Sequence, residues 1–208
     1  MRKRQQTLWL TVSLALAVLL SACASPITHP VALTYTGPAR ATTDAPVAVG
    51  IQSFEDQRGL DDRFLIGYRS LGRGEWERYV SSPDDVAAAV SRMAADLIRR
   101  KGGTPGVLNG WDYTPDQMLA LTDAFDVFIG GAIERLRCEA EKRLMHTRMV
   151  LEVDIVVYVG KVREGVVHRR PVTMRTERVA AAFGPGELRR FLNEMLSEAL
   201  EKGCRGVP

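Results

Sequence analysis

The chain has 208 residues, of which 28 are basic and 25 are acidic, giving a formal net charge of +3. A hydrophobic content of 46% with 25% charged residues excludes a largely disordered chain and favours one globular domain. The basic excess is contributed by Arg2, Lys3 and Arg4, and the remaining residues hold 25 side chains of each sign. The charge therefore gives no support to a nucleic-acid partner.

The first 22 residues have the pattern of an export signal. The basic cluster precedes an apolar run of 13 residues, Leu8 to Leu20, which is shorter than the roughly 20 residues of a membrane-spanning helix. A basic start, a short apolar stretch and small residues after it are typical of a secretory signal. The alternative is a buried helix at the start of the domain.

The apolar run ends in Leu20-Ser21-Ala22-Cys23, which resembles the lipobox of bacterial lipoproteins at all four positions. That resemblance implies cleavage after residue 22 and attachment of a diacylglycerol to the Cys23 thiol. Ala24, where an aspartate would retain the protein in the inner membrane, implies the outer membrane and its periplasmic side. Buried acyl chains contribute about 0.8 kcal/mol per CH₂, so Cys23 is the predicted membrane contact. The alternative is an ordinary signal-peptidase site beside a free cysteine.

Residues 23–46 are predicted to form a flexible tether, because they hold four prolines among Ser, Thr and Ala. The domain is then predicted to span residues 47–208. Its first strand is the β-favouring run Val47 to Ile51, which leads into a charged loop from Ser53 to Gly59.

Capping signals predict three helices. The first begins with Ser82 as the cap and Pro83 in the first turn, carries an apolar stripe, and ends at Gly102-Gly103. The second is a short helix from Thr114 to about Asp123. The third begins after Gly184 and ends at Gly203.

Alternating apolar residues predict three further strands, over 126–138, 149–159 and 166–179. A two-residue turn at Glu164-Gly165 would set Ile155 opposite Met174 and Asp154 opposite Arg175. The same register would oppose Glu152 and Glu177, which counts against it. The order β-α-α-β-β-β-α predicts an α+β fold, with a mixed, mainly antiparallel sheet and helices packed on one face.

Two cysteines remain if Cys23 is lipidated. An exported protein is in a disulfide-permissive compartment, so the sequence predicts a Cys138–Cys204 disulfide. The alternative is a pair of buried free thiols.

The sequence predicts no cofactor, since none of the three histidines has a partner at metal-ligand spacing and no nucleotide-binding motif is present. The candidate partner-binding residues lie in the polar stretch that follows the first predicted strand, where Arg is mixed with aromatic side chains. They are Asp56, Arg58, Arg63, Tyr68 and Trp76. The alternative is a solvated loop with local salt bridges.

An apolar strand followed by Phe54-x-Asp56-x-Arg58 and Ile66-Gly67 resembles the YajG-type envelope lipoproteins, and the stretch from Asp126 to Ile133 is similar to their central strand. The resemblance covers about residues 47 to 200 and implies location and fold more than activity. Residues 68–82 form an insert relative to the shorter members.

These features predict a binding or accessory module that docks an envelope protein or peptidoglycan, and no enzyme. One alternative is an auxiliary lipoprotein of a lipid or solute transport system, with the hairpin and helix faces forming a lipid groove. Another is a hydrolase that uses Asp56 with Glu55 or Asp61.

Overall fold

The computed structural model describes residues 26–39, 47–121 and 124–207, so the predicted signal and Cys23 lie outside the described residues. This part of the chain forms an α+β fold with one mixed sheet. None of its helices is long and apolar enough to cross a membrane.

The strands are β1 (Ile27–Val31), β2 (Ala48–Gln52), β3 (Glu55–Asp56), β4 (Leu65–Gly72), β5 (Glu75–Ser81), β6 (Thr104–Leu108), β7 (Val127–Lys142), β8 (Thr147–Lys161) and β9 (Val166–Ala180). The helices are α1 (Val86–Arg100), α2 (Pro115–Ala120), α3 (Pro185–Gly203) and a 3₁₀ turn at Val162–Glu164.

Strand β7 is the centre of the sheet. Along one edge, its beginning pairs in parallel with β2 and β3 and its end pairs in parallel with β4. Along the other edge it pairs antiparallel with β8 over its whole length, and β8 pairs with β9. The path β1-β5-β4-β7-β2-β6 completes the sheet. The two long hairpins and the parallel crossovers together give the mixed sheet that the sequence predicted.

The helices do not all lie on one face, so that prediction is wrong for α2. The apolar stripes of α1 and α3 pack with Ile129 and its neighbours in the large core. Met118 of α2 instead packs against Phe128 and Trp111 in a second, smaller cluster. Successive strand residues point to opposite faces, so Phe128 and Ile129 place α2 and the two long helices on opposite sides of β7. We call the α1–α3 side the inner face and the other side the outer face.

Helix α1 starts three residues later than the Ser82 cap predicted. Asp85 is the cap, and its carboxylate accepts a hydrogen bond from the Ala88 amide at 2.8 Å. Thr114 caps α2 as predicted, whereas α2 ends at Ala120 rather than near Asp123. The bounds of α3 agree with the predicted helix.

The predicted β8–β9 register is wrong by two residues. Ile155 lies opposite Val172, and Glu152 lies opposite Arg175, with 3.4 Å between Glu152 Oε1 and Arg175 Nε. The 3₁₀ turn and Gly165, which has φ of 64°, replace the predicted two-residue turn. This register removes the Glu152–Glu177 clash, and because the shift is even, each side chain keeps its predicted face.

The described part of the predicted tether is folded. Strand β1 pairs in parallel with β5, and the next alternating apolar residues, Leu33 and Tyr35, are buried in the core. The Asn193 side chain of α3 accepts from the Thr34 amide and donates to the Ala32 carbonyl. The domain therefore begins before Val47. The proline content led to the prediction of a tether, but residues 27–31 form an edge strand. The missing N–H of Pro30 is tolerated there.

The insert at 68–82 is a β-hairpin, β4–β5, that joins β1 to the rest of the sheet. Strand β6, which the sequence did not predict, pairs with β2 at the far edge. Its Pro105 and Gly106, with further glycines on both sides, gave no strand signal, since proline and glycine are poor strand formers.

The predicted Cys138–Cys204 disulfide is absent, and both thiols are free and buried. Gly203 lies against Val157, which pairs with Gly131 on β7. Cys138 is seven residues farther along β7, which is about 23 Å at roughly 3.3 Å per residue. A disulfide requires the two Cα atoms within about 7 Å. Burial raises the pKa of each thiol to about 12.

Candidate functional site

A groove of about 650 Å³ lies on the outer face between β4 and β7. We call it the aromatic groove and define it by Leu60, Tyr68, Trp76, Arg135, Arg137 and Glu139, which line its walls. Most of the outer face around it carries charged side chains, so the exposed aromatic rings distinguish the groove from the rest of the sheet.

The aromatic side of the groove is built by the β4–β5 hairpin. Its turn holds Gly72, Arg73 and Gly74 at φ of 88°, 54° and 80°, a conformation for which glycine is suited. Tyr68 and Trp76 pair with residues 78 and 70 respectively, which places both on the outer face. They are 41% and 53% exposed, so neither ring is part of the core.

The groove floor requires a small residue on β4. A Cβ placed on Gly67 would collide with the Cys138 carbonyl oxygen of β7. The missing side chain lets the two strands approach, and it brings Tyr68 beside Glu139 in the next row. The sequence motif Ile66-Gly67 therefore positions the groove without contributing a contacting side chain.

Charges of both signs surround the rings. Arg135 binds Asp154 at 2.9 Å, and Arg137 contacts Glu139 on the same strand. Arg135 and Arg137 are more than half exposed and are available to a ligand. Rings next to guanidinium and carboxylate groups suit a protein or glycan surface better than a wholly apolar ligand.

Asp56 and Arg58 form an internal clamp at one end of the groove, where Arg58 is part of the lining. The Arg58 guanidinium donates two hydrogen bonds to the Asp56 carboxylate, at 2.8 and 2.6 Å, and others to the carbonyls of Leu65 and Arg63. Its side chain is only 2% exposed. Burial alone would raise the pKa of Asp56, but the hydrogen bonds and charge of Arg58 outweigh it and hold that pKa below its ordinary value. The clamp fixes the loop that leads into β4.

The other polar residues of this stretch do not converge on the groove. The Arg63 carbonyl accepts from Arg58 and from the Val86 amide, while its side chain is exposed. Glu55 accepts a hydrogen bond from Gln57, and Asp61 is exposed. A carboxyl group that donates a proton near neutral pH needs a raised pKa, whereas that of Asp56 is lowered.

A second polar group lies on the inner face, between β1, β4 and β5. The Glu77 carboxylate accepts from the Tyr79 hydroxyl at 2.9 Å and from Arg69 at 3.2 Å. Arg69 also donates to the Thr147 hydroxyl at 3.0 Å, and His29 lies 3.6 Å from Glu77. We call these five residues the Glu77 cluster.

The Glu77 cluster joins the edge of the sheet to its centre. Desolvation raises the pKa of Glu77, but hydrogen bonds from Tyr79 and Arg69 outweigh it, so the pKa lies below its ordinary value. Desolvation and the same carboxylate raise the pKa of Tyr79. The His29 ring stacks on Tyr79 with centroids 5.3 Å apart. Since His29 is on β1, Thr147 on β8 and the others on the hairpin, the cluster locks β1 in place.

Sequence reasoning found the aromatic half of the groove and missed the half supplied by β7. The predicted strand ended at Cys138, and the alternation of charged residues through Lys142 was the available signal. It also missed the Glu77 cluster, because His29 lay in the predicted tether. Within the described ranges, no group of three His, Cys, Asp or Glu side chains is placed to hold a metal ion.

No family model matches the chain, and no curated protein matches it significantly in sequence. Solved structures are similar to it. A DUF330-family protein from Xanthomonas campestris superposes with a TM-score of 0.51 at 10% identity, covering 83% of this chain and 92% of its own. The likeness at this identity concerns the fold alone.

Two further solved structures are similar at lower scores. One is the PelC dodecamer of Paraburkholderia phytofirmans, with a TM-score of 0.41, 15% identity and coverage of 80% of this chain and 92% of its own. The other is the lipoprotein GNA1162 of Neisseria meningitidis, with a TM-score of 0.37, 9% identity and coverage of 74% and 97%.

Proposed function

We propose that this protein is a lipid-anchored outer-membrane lipoprotein that faces the periplasm and binds an envelope protein through the aromatic groove. The observation that carries the proposal is the exposure of Tyr68 and Trp76 beside the guanidinium groups of Arg135 and Arg137, which are ion-paired but more than half exposed. Large aromatic residues and arginine are the side chains most enriched in protein interfaces. An exposed aromatic pair on a salt-bridged sheet face has no role in the packing of this domain.

The anchor is supported by Leu20-Ser21-Ala22-Cys23 after a basic start and an apolar run. It is tested on protein isolated from bacterial envelopes, with the Cys23→Ala variant as the control. We expect intact mass spectrometry to show loss of residues 1–22 and addition of acyl chains at Cys23, and the variant to lack both. A mature chain that keeps a free Cys23 thiol overturns the anchoring part of the proposal.

The groove is tested by site-specific photocrosslinking in living cells. A photoreactive phenylalanine analogue replaces Leu60 on the groove wall, and in a matched control it replaces Arg163, which is 89% exposed on the β8–β9 turn. We expect one defined adduct from position 60 and none from position 163. Adding Trp76→Thr to the position-60 variant should remove at least nine-tenths of the adduct.

The adduct also identifies the partner class. Mass spectrometry of a protein adduct names the envelope partner, and a transport-system subunit would assign this chain to the auxiliary lipoproteins. An adduct with peptidoglycan would replace the protein partner with a glycan. Equal adducts from positions 60 and 163, or none from position 60, contradict a binding role for the groove.

A further inference from the structure

The β7–β8 hairpin ends in two exposed apolar side chains. The Arg143 amide donates to the His146 carbonyl at 2.7 Å, which leaves Leu144 and Met145 at the tip. Their exposures are 104% and 85%, so neither belongs to the core of the described chain. Short hairpin turns favour Gly, Asn or Asp, so folding does not account for a Leu-Met tip.

The strand registers place the start of the described chain at this same end of the sheet. Ile27 of β1 pairs with Glu77 of β5, Glu77 with Arg69 of β4, and Arg69 with Ala140 of β7. Ile27 and Ala140 therefore share one row across the sheet. Leu144 lies four residues beyond that row, in the direction from which the chain enters β1.

The chain length between Cys23 and Ile27 limits how far this end can be from the membrane. Four residues span at most about 14 Å when extended. The hairpin tip projects about 10 Å past the row of Ile27, given roughly 3.3 Å per residue and a turn at its end. An acyl anchor on Cys23 would therefore hold the tip at the depth of the lipid headgroups.

Other side chains at this end suit the same environment. Trp76 and Ile27 at the starts of their strands and Val179 near the end of β9 lie at this end of the sheet, and they are 53%, 60% and 61% exposed. The cations Lys142 and Arg143 precede the apolar tip, and Arg143, which pairs with Glu141 at 3.0 Å, is half exposed. Apolar side chains flanked by cations, with a tryptophan beside them, are the pattern of surfaces that lie in the interface of anionic bilayers.

We propose that Leu144 and Met145 insert into the headgroup region of the phospholipid bilayer that holds the Cys23 acyl chains. The inference rests on the proposed lipid anchor, and it adds an orientation to it. The sheet stands on its β7–β8 tip, and the Trp76 end of the aromatic groove is next to the membrane while the Arg58 end points away. The groove is then open to a partner that is itself at the membrane surface.

The test measures the depth of a nitroxide label at position 144 by electron paramagnetic resonance. The full-length Leu144→Cys protein, expressed in bacteria and purified from envelopes, is labelled and reconstituted in vesicles of phosphatidylethanolamine and phosphatidylglycerol at about 3:1. Cys138 and Cys204 are fully buried and do not compete for the label. The matched control is Val107→Cys, which is 79% exposed on β6.

The control position lies at the other end of the sheet. Val107 and Ile129 both pair with Ile51, and Ile129 is eleven residues before Ala140 on β7, which is about 36 Å. We expect collisions of the label at 144 with a water-soluble nickel chelate to be at least fivefold fewer than at 107, and collisions with oxygen to be more frequent. Equal nickel accessibility at the two positions overturns the inference.

The outcomes separate this inference from the proposed function. Acylated protein that floats with vesicles while position 144 stays in water refutes the insertion and leaves the anchor intact. Protein isolated without acyl chains refutes the anchor. If that protein also fails to bind vesicles, the insertion of the tip is refuted as well. A label at 144 that is immobilised only by added envelope protein assigns the tip to a protein contact and overturns the lipid proposal.

Discussion

The Asp56–Arg58 clamp and the Tyr68–Trp76 pair come from one polar stretch of sequence, yet they occupy opposite environments. The clamp has four hydrogen bonds within the domain and an almost fully buried guanidinium. The aromatic pair has about half of each side chain in solvent. The difference shows that a polar loop next to a scaffold strand can hold structural residues, while the residues proposed for recognition lie on the strands themselves.

The largest expected effect comes from breaking the clamp. Arg58→Ala leaves the Asp56 carboxylate and two carbonyls without their donor, and loss of one partner of a buried ion pair costs about 3–5 kcal/mol. We expect the free energy of unfolding in urea to fall by about 3 kcal/mol. Arg137→Ala, which removes an exposed pair with Glu139, is the control and should cost under about 1 kcal/mol. Equal losses would contradict the distinction between clamp and surface.

A smaller effect is expected from Glu77→Gln in the inner-face cluster. The variant removes a charge that accepts hydrogen bonds from Tyr79 and Arg69, and such bonds are worth roughly 1.5–3 kcal/mol. We expect a loss of about 2 kcal/mol at pH 7, measured by urea unfolding.

The same variant tests the pH dependence of the cluster. Because the pKa of Glu77 is lower in the folded protein than its ordinary 4.5, its contribution is present above about pH 4.5 and is lost as the pH falls through the folded value. The stability difference between the native protein and Glu77→Gln should therefore shrink below about pH 4.5. A difference that stays constant down to pH 3 would show that Glu77 is not the titrating group.

Changes in the aromatic pair should hardly affect stability. Tyr68→Thr and Trp76→Thr keep a residue that favours strands and remove rings that are about half exposed. We expect each to change the free energy of unfolding by under about 1 kcal/mol, while Trp76→Thr removes the groove adduct. A loss comparable with that of Arg58→Ala would make the rings structural and remove the reason for assigning them to recognition.

The smallest effect is expected from reducing agents. With Cys138 and Cys204 both buried and free, dithiothreitol should leave the unfolding midpoint unchanged, whereas loss of a disulfide closing this interval would cost about 4 kcal/mol. A thiol reagent should find no reactive group in the folded acylated protein and two after denaturation. If Cys138 and Cys204 are both unreactive in the denatured protein, the two are joined by a disulfide after all.

Much of the secondary structure could be predicted because it depends on local patterns. The apolar stripe of α3 and its glycine end agree with the structure, and so does the alternation along β8. The errors concern partners distant in sequence. The β8–β9 register depends on which charges face each other, and the position of α2 depends on the second cluster around Phe128. Neither relation is visible in a short window of residues.

In the candidate site, too, the local features were predictable from the sequence and the pairing of distant segments was not. The residue types at 68 and 76 indicated recognition, because aromatic side chains in a polar context are typical of interfaces. The groove exists only because β4 lies beside the end of β7, which is about 70 positions later in the chain. The ion pair between Asp56 and Arg58 was not predicted, because a sequence does not show that a guanidinium is enclosed.

By itself, the sequence determined the balance of charges after Arg4, the lipobox resemblance at Cys23, and an α+β domain with the Thr114 helix cap, since these depend on composition and neighbouring residues. The tertiary structure alone decided that residues 27–31 are an edge strand, that the two cysteines are apart, and that the hairpin tip lies at the same end of the sheet as the chain's entry into β1. Those features arise from strand pairings between distant segments. A pairing is selected by the burial and charge of a whole face, which local patterns do not contain.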